Sequence, residues 1–164
     1  MATSTDRQLS LDLWQAMLNA FFRLRQSIRP IFAAHGLTGP QWRVFRLLGE
    51  ERGPGLTPGQ ISETLRVTPG NITGIVDNLG EAGLVERRPH PDDRRAQLIV
   101  FTPRGAALYR QVQPVYDKRV AELFGCLAPE ERRAMIAGLE RLVAHAESVD
   151  PGAADRPCGT GAPR

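Results

Sequence analysis

Apolar residues recur at helical spacing in six stretches of the chain and alternate over two short ones. Residues 9–34 predict a long first helix. Its Trp14, Leu18, Phe21, Phe22, Leu24, Ile28, Ile31 and Phe32 spread over more than one face. A helix that is apolar on two sides must be covered on two sides. One side can pack on its own chain, and a second copy of the chain is the simplest cover for the other. Pro30 is expected to kink or divide this helix, and the polar residues 1–8 are expected to fray. Residues 38–50 predict a second helix, opened by a capping box of Thr38 and Gln41. Val44, Leu47 and Leu48 face its core side, with Trp42 or Phe45. Residues 51–55 form a loop by their glycines and proline.

The centre of the chain is residues 56–102. Thr57, Pro58 and Gln60 carry the start signals of a short helix, with Ile61 and Leu65 on one face. Arg66 and Val67 make a turn. Thr68 and Pro69 then cap and open another helix, with Ile72, Ile75, Val76 and Leu79 inward and Gly83 as its stop. The outward face carries Gly70, Asn71, Thr73, Gly74, Asp77 and Asn78, short side chains that let a backbone approach base edges. Two capped helices in tandem occur in many globular domains, so this pair alone does not decide the fold. Residues 84–88 and 97–101 then read as two strands, with Val85, Leu98 and Val100 inward. Between them lies an arginine-rich loop, with Arg87 and Arg88 at its base and Arg94 and Arg95 at its tip. Arginine binds phosphate bidentately and suits a narrow minor groove. The alternative is a solvated hairpin loop. The helix pair and the arginine loop together give the pattern of a winged helix-turn-helix, a module that reads duplex DNA. Asn71 and Thr73 are the candidates for base edges, and Thr68, Pro69 and Gly70 for close backbone approach. Asp93 is expected to orient Arg95 for minor-groove insertion while Arg94 meets the DNA backbone.

After the second strand, Thr102 caps and Pro103 opens a long helix striped by Leu108, Val112, Val115, Tyr116, Val120, Leu123 and Phe124, with a bend expected at Pro114. Pro129 opens the last helix. Glu130 and Glu131 suit the positive helix start, whereas Ala128 is a poor cap. Its stripe of Ile136, Leu139, Leu142 and Val143 is expected to interlock with the first helix between subunits. Residues 151–164 have no apolar periodicity and read as disordered.

The runs LTGPQWRVFRLL and TPGNITGIVDNLGEAGLVERRPHPDDRRAQLIVFTPRG resemble the MarR family of bacterial transcription regulators. The resemblance covers residues 9–149. The family's wing-tip Asp-Arg-Arg stands as Asp93, Arg94 and Arg95, and its following motif as Phe101, Thr102, Pro103 and Gly105. His90 departs from the family, where many relatives carry Asp. The resemblance implies a homodimer, a palindromic operator and often release by a small molecule. It also implies an effector pocket for phenolic or carboxylate anions where the first two helices and the dimer helix meet the reading head. Trp14, Arg25, His35, Trp42, Arg43 and Arg46 are the candidates to line it. The alternative is that the tryptophans are core, the arginines make ordinary ion pairs and His35 closes a helix end.

Length and composition narrow the alternatives. A chain of 164 residues suits one domain with a real core. The net charge of +3 is modest, and all 21 basic residues but Lys118 are arginine, so the basic character that matters is local to the wing. Cys126 and Cys158 make no disulfide framework or metal pattern. Cys126 is expected to be a small buried hydrophobe; a thiol sensor acting through it is a rival reading, although the family's peroxide sensor carries its cysteine near the start of the first helix. His35, His90 and His145 are scattered, so no metal or other cofactor is expected. No nucleophile elbow, phosphate loop or paired-histidine motif points to an enzyme. No signal peptide or long apolar run is present, and a cytoplasmic protein without a membrane partner is expected.

The expected architecture is mainly α with a small two- to three-stranded antiparallel wing. Residues 9–37 would serve dimerisation, 38–104 the winged helix-turn-helix and 105–149 further dimerisation, with a disordered tail over 150–164. The expected function is a homodimeric repressor released from a palindromic double-stranded operator by a small aromatic or phenolic anion. A DNA-binding regulator without an effector is the alternative.

Overall fold

The computed structural model describes residues 4–93 and 95–149. Their order is α1 (Ser4–Ala33), α2 (Gly39–Glu50), α3 (Pro58–Leu65), α4 (Pro69–Glu81), β1 (Val85–Pro89), β2 (Gln97–Phe101), α5 (Pro103–Phe124) and α6 (Pro129–Ser148). The chain divides after Ala121 into two compact units. The first holds α1 to β2 and most of α5; the second holds the end of α5 and α6.

Helix α1 starts before residue 9 because its polar first turns hold themselves. Ser10 Oγ donates to the Asp6 carbonyl at 3.0 Å and Gln8 Nε2 to Asp12 Oδ1 at 2.9 Å. The expected fraying of residues 4–8 is therefore not observed, and residues 1–3 lie outside the described residues. Pro30 does not divide the helix. It removes a single donor near the end, and its own carbonyl accepts from Ala34 N–H at 3.0 Å.

The two expected capping boxes are present. Thr38 and Gln41 exchange bonds of 3.3 and 2.8 Å at the start of α2, and Thr57 and Gln60 exchange bonds of 3.2 and 2.8 Å at the start of α3. Arg66 takes a left-handed conformation, φ 52°, and Ser62 Oγ closes the turn by donating to the Val67 carbonyl at 2.6 Å. Thr68 holds the N-cap position of α4, but its hydroxyl makes no capping bond, which corrects its expected role. Gly83, φ +67°, ends α4 as expected. There Leu84 N–H bonds the Leu79 carbonyl and Gly83 N–H that of Gly80, at 2.9 and 2.8 Å.

The core lies among α1 to α5 and the sheet. Trp42 and Phe45 are both inside, where one of the two was expected, along with Val44, Ile61, Ile72, Leu79 and Val112. Phe32 stacks on Trp42 with ring centres 5.5 Å apart, and Tyr109 stacks on the same indole at 5.9 Å. Strands β1 and β2 pair antiparallel from Val85↔Phe101 to Pro89↔Gln97. Leu56 adds a bridge to Ile99 beside them, with bonds of 3.2 and 2.7 Å.

Simple alternation misplaced one position of β2. Leu98 and Ile99 are buried, while Val100 is half-buried. Both faces of the strand are covered. Ile99 joins the helical core, and the loop at Gly55 lies so close over the other face that a β-carbon at residue 55 would be 3.4 Å from Leu98 Cβ and closer still to Val100. Helix α5 opens as expected: Thr102 Oγ1 accepts from Gly105 N–H at 3.0 Å and donates to the Gly83 carbonyl at 2.8 Å. It runs unbroken through Pro114.

In the second unit, Ala128 supplies no side-chain cap. Glu131 provides half of a box instead, accepting from Ala128 N–H at 2.7 Å. Ile136, Leu139, Leu142 and Val143 form an exposed stripe. Cys126 is exposed, which corrects the expected burial. It sits in the turn that follows α5, where its Sγ meets the Leu123 carbonyl at 3.7 Å.

Candidate nucleic-acid interface

The outward face of α4 is open. Gly70, Asn71, Thr73, Gly74, Asp77 and Asn78 are all exposed, and Thr68 and Pro69 precede them on the same surface. A β-carbon at Gly70 or Gly74 would meet nothing within 4 Å. Thr73 Oγ1 donates to the Pro69 carbonyl at 3.1 Å and Asn78 Nδ2 to the Gly74 carbonyl at 2.8 Å. These two side chains lie back along the helix and keep oxygen lone pairs outward. The amide of Asn71 makes no hydrogen bond to a described residue, so both its donor and its acceptor remain available. Beside it, a hollow of about 430 Å³ separates α4 from the start of α2, with Arg43 and Gln41 on its far wall.

The wing tip is closed by its own backbone. His90 N–H bonds the Ala96 carbonyl at 3.1 Å, and Ala96 N–H bonds the Asp93 carbonyl at 3.0 Å. Asp93 Oδ1 accepts from the backbone N–H of Arg95 at 2.9 Å. Asp93 therefore holds the turn and not the Arg95 guanidinium, which corrects its expected role. An Asx turn offers the carboxylate a nearer donor than a long flexible side chain does. His90 Nδ1 accepts from Asp92 N–H at 3.1 Å. Arg95 is exposed, and its guanidinium pairs with no described carboxylate. Arg94 lies outside the described residues.

The two arginines at the wing base are engaged. Arg87 Nη2 donates to Asp77 Oδ1 on α4 at 2.8 Å, and Arg88 Nε to Glu86 Oε1 at 2.8 Å. In the sequence Asp77 is one of several small polar residues on the outward face. The spacing of ten residues to Arg87 becomes a contact only because the strand doubles back along α4.

The six candidate effector residues fall apart into separate settings. Trp42 is core, 2% exposed, as its alternative reading held. Arg46 lies with its guanidinium carbon 5.3 Å from the centre of the Tyr116 ring, and it donates to the Tyr116 hydroxyl at 3.3 Å and to Glu50 at 2.6 Å. The bond to Glu50 holds that guanidinium above its ordinary pKa, against the opposing effect of burial. Trp42 and Arg46 thus meet around Tyr116, 5.4 Å from the indole. Trp42 Nε1 and Arg46 Nε are buried and have no hydrogen-bond partner among the described residues. Arg43 instead donates to the Leu65 carbonyl at 2.9 Å, an ordinary structural bond. Half-buried His35 follows the end of α1, its N–H bonded to the Phe32 carbonyl at 3.0 Å. Trp14 and Arg25 are exposed on α1 and share no ring contact or hydrogen bond with the Trp42–Tyr116 group among the described residues. Tyr109 and Tyr116 were not among the candidates, although their helical spacing from Val112 carries that signal.

Among the described residues no cluster of three metal-binding side chains occurs, and no helix is long and apolar enough to cross a membrane.

Comparison with known proteins agrees with this geometry. The sequence pattern of the MarR family matches residues 35–96. The homoprotocatechuate degradative operon repressor of Escherichia coli is 28% identical over 129 residues, 79% of this chain and 86% of the repressor. MepR of S. aureus, in a crystal structure of its DNA complex, shares the fold with a TM-score of 0.74 at 21% identity, over 80% of this chain and 96% of that one. CouR of Rhodococcus jostii RHA1, bound to p-coumaroyl-CoA, superposes with a TM-score of 0.74 at 25% identity, over 82% of this chain and 93% of that one.

Proposed function

The chain belongs to the MarR family of transcription regulators, and from that premise we propose that it is a homodimeric repressor that leaves a palindromic duplex operator when a small aromatic or phenolic anion binds. The observation that carries the DNA half is the open, short-chained face of α4 beside the exposed Arg95 of the wing. Asn71 and Thr73 read base edges in the major groove, and Thr68, Pro69 and Gly70 let the backbone approach. The start of α4 offers free N–H groups to a phosphate. Arg95 reaches the neighbouring minor groove, where negative potential favours arginine, and Arg94 meets the DNA backbone.

Two heads are needed for a palindrome, and they sit about 34–36 Å apart on one face of the duplex. The apolar side chains exposed on α1 and on α6 support pairing of two chains. Phe21 and Phe22 on α1 are each 57% exposed, and Ile136 on α6 is 56% exposed. The effector half rests on relatives whose names carry aromatic compounds, the homoprotocatechuate operon repressor and CouR with p-coumaroyl-CoA. In this chain Arg46 is the proposed contact for the anion; Trp42, which shares Tyr116 with it, is buried in the core. The protein acts in the cytoplasm, where its DNA is.

The test is selection of bound duplexes from a randomised pool, followed by fluorescence anisotropy. The expected result is a palindromic consensus bound with an affinity that falls steeply with salt. Small aromatic acids titrated into the complex then lower the anisotropy. Recovery of no consensus overturns the operator, and a complex indifferent to every aromatic acid leaves a regulator without that effector.

A further inference from the structure

We propose that Asp77 and Arg87 form a brace that sets the wing against the reading helix, so that an acidic residue on the DNA-facing helix strengthens DNA binding instead of opposing it. This rests on the DNA-binding reading above. The pair is 2.8 Å apart and half-exposed. It is the one side-chain hydrogen bond between α4 and β1 among the described residues. Strand alternation puts Arg87 on the same side as Val85, which is buried with Val76 of α4. The neighbouring Glu86 and Arg88 pair with each other and leave α4 alone.

An open cleft of about 400 Å³ lies between α4 and β1, lined by Val76, Gly80, Glu81 and Val85 with the two braced residues. A two-stranded ribbon is free to twist and swing about its base. In the core this one is fixed by Leu84 and Val85 and, opposite Arg87, by Ile99 with its bridge to Leu56; between α4 and β1 the ion pair is the side-chain link that spans the cleft. A half-exposed ion pair adds little to folding stability. What it does here is geometric: it fixes the direction from the base-reading face of α4 to Arg95 at the wing tip.

Two accounts of Arg87 give opposite signs. If Arg87 is an ordinary phosphate contact, Asp77 competes with DNA for it, and removing Asp77 should tighten binding. If Arg87 is a strut, removing either residue loosens the wing, and removing both does no further harm. The experiment is fluorescence anisotropy on the duplex selected by the wild-type chain, with Asp77→Ala, Asp77→Asn, Arg87→Ala and the Asp77→Ala/Arg87→Ala double variant over a salt series. Thermal melts check folding, and the mild Asp77→Asn change keeps the test valid should Asp77→Ala melt early. The expected result is a loss of about tenfold for each single alanine variant, with the double variant no weaker than the weaker single. Asp77→Asn should lose affinity too. The salt slope of Arg87→Ala stays that of the wild type, because no phosphate contact has gone. Unchanged or tighter binding by the Asp77 variants, additive losses, or a slope lowered by about one in Arg87→Ala would each overturn the brace. A wild-type chain that selects no duplex fails earlier and differently, since it removes the DNA-binding reading itself.

Discussion

Gly105 stands so close to Leu84 that a β-carbon at residue 105 would overlap the Leu84 carbonyl oxygen. The first turn of α5 is seated directly on the backbone leaving α4. Thr102 N–H bonds the same Leu84 carbonyl at 3.2 Å, and Arg104 Nη1 donates to the Ala82 carbonyl at 3.0 Å. The obstacle is main chain, which cannot swing aside as a side-chain tip can. Gly105→Ala should therefore lose about 2 kcal/mol or more of folding stability, despite alanine's helix advantage of up to about 1 kcal/mol. Urea denaturation measures this directly, and a loss below about 0.5 kcal/mol would show that α5 is not held in this seat.

Two threonines in similar sequence contexts, each before a proline, should behave differently. Thr57 Oγ1 accepts from Gln60 N–H at 3.2 Å, whereas the Thr68 hydroxyl makes no capping bond. Thr57→Ala should cost about 1 kcal/mol. Thr68→Ala should fall within about 0.5 kcal/mol of the wild type, the usual range for a surface change that breaks no special feature. Thermal melts of the two variants decide it; equal losses would mean that Thr68 caps α4 in solution.

Sequence reached most of this because its signals are local. Proline at a first helical position, a glutamine three residues past a threonine cap, and glycine past a helix end each act within one or two turns, and α2, α3 and α4 lie where those signals put them. Sequence failed where a residue's setting depends on a distant element. Ile99 is buried because both faces of β2 are covered, and alternation presumes one wet face. Asp93 and Arg95 were rightly read as one unit, but the choice between a backbone amide and a guanidinium is a matter of turn geometry. Asp77 and Arg87 meet only once the strand doubles back. Residue type alone cannot tell buried Trp42 from exposed Trp14.

The apolar stripe of α6 has a direct consequence. Leu139, Leu142 and Val143 are 42 to 46% exposed in the single chain, and Met135 is 50% exposed. A contiguous apolar face of this kind marks an interaction surface. Analytical ultracentrifugation should find the wild-type chain as a dimer at micromolar concentration. Leu139→Glu would put a charge into the stripe and should shift the protein to monomer with its helix content kept. A monomeric wild type would remove the homodimer from the proposed function.

Burial raises the pKa of the Tyr109 phenol above its usual 10.0, and the negative charge of Glu50 adds to that rise. The folded chain thus keeps Tyr109 protonated at a pH where the unfolded chain already releases the proton. The stability this gives is whole below the unfolded value and is lost as pH rises from there through the folded value. Chemical denaturation at pH 8 and at pH 11 should show a smaller stability at the higher pH, and Tyr109→Phe should reduce the difference. An unaltered pH dependence in Tyr109→Phe would show that the phenol is not the group responsible.

The corrected role of Asp93 changes what its substitutions should do to DNA binding. Had it gripped the Arg95 guanidinium, loss of its charge would free that arginine. Instead its side-chain oxygen accepts from the Arg95 backbone N–H and its carbonyl from Ala96, so it shapes the tip. Asparagine presents the same acceptor, and Asp93→Asn should bind DNA as the wild type does or slightly better. Asp93→Ala lacks that acceptor and should bind more weakly, although it also removes a negative charge near phosphate. Arg95→Ala should lose on the order of 1–3 kcal/mol of DNA affinity, with a salt slope shallower by about one. Anisotropy titrations of the three variants on one duplex give the ranking. Asp93→Ala binding more tightly than Asp93→Asn would show that charge, and not the turn, is what residue 93 contributes.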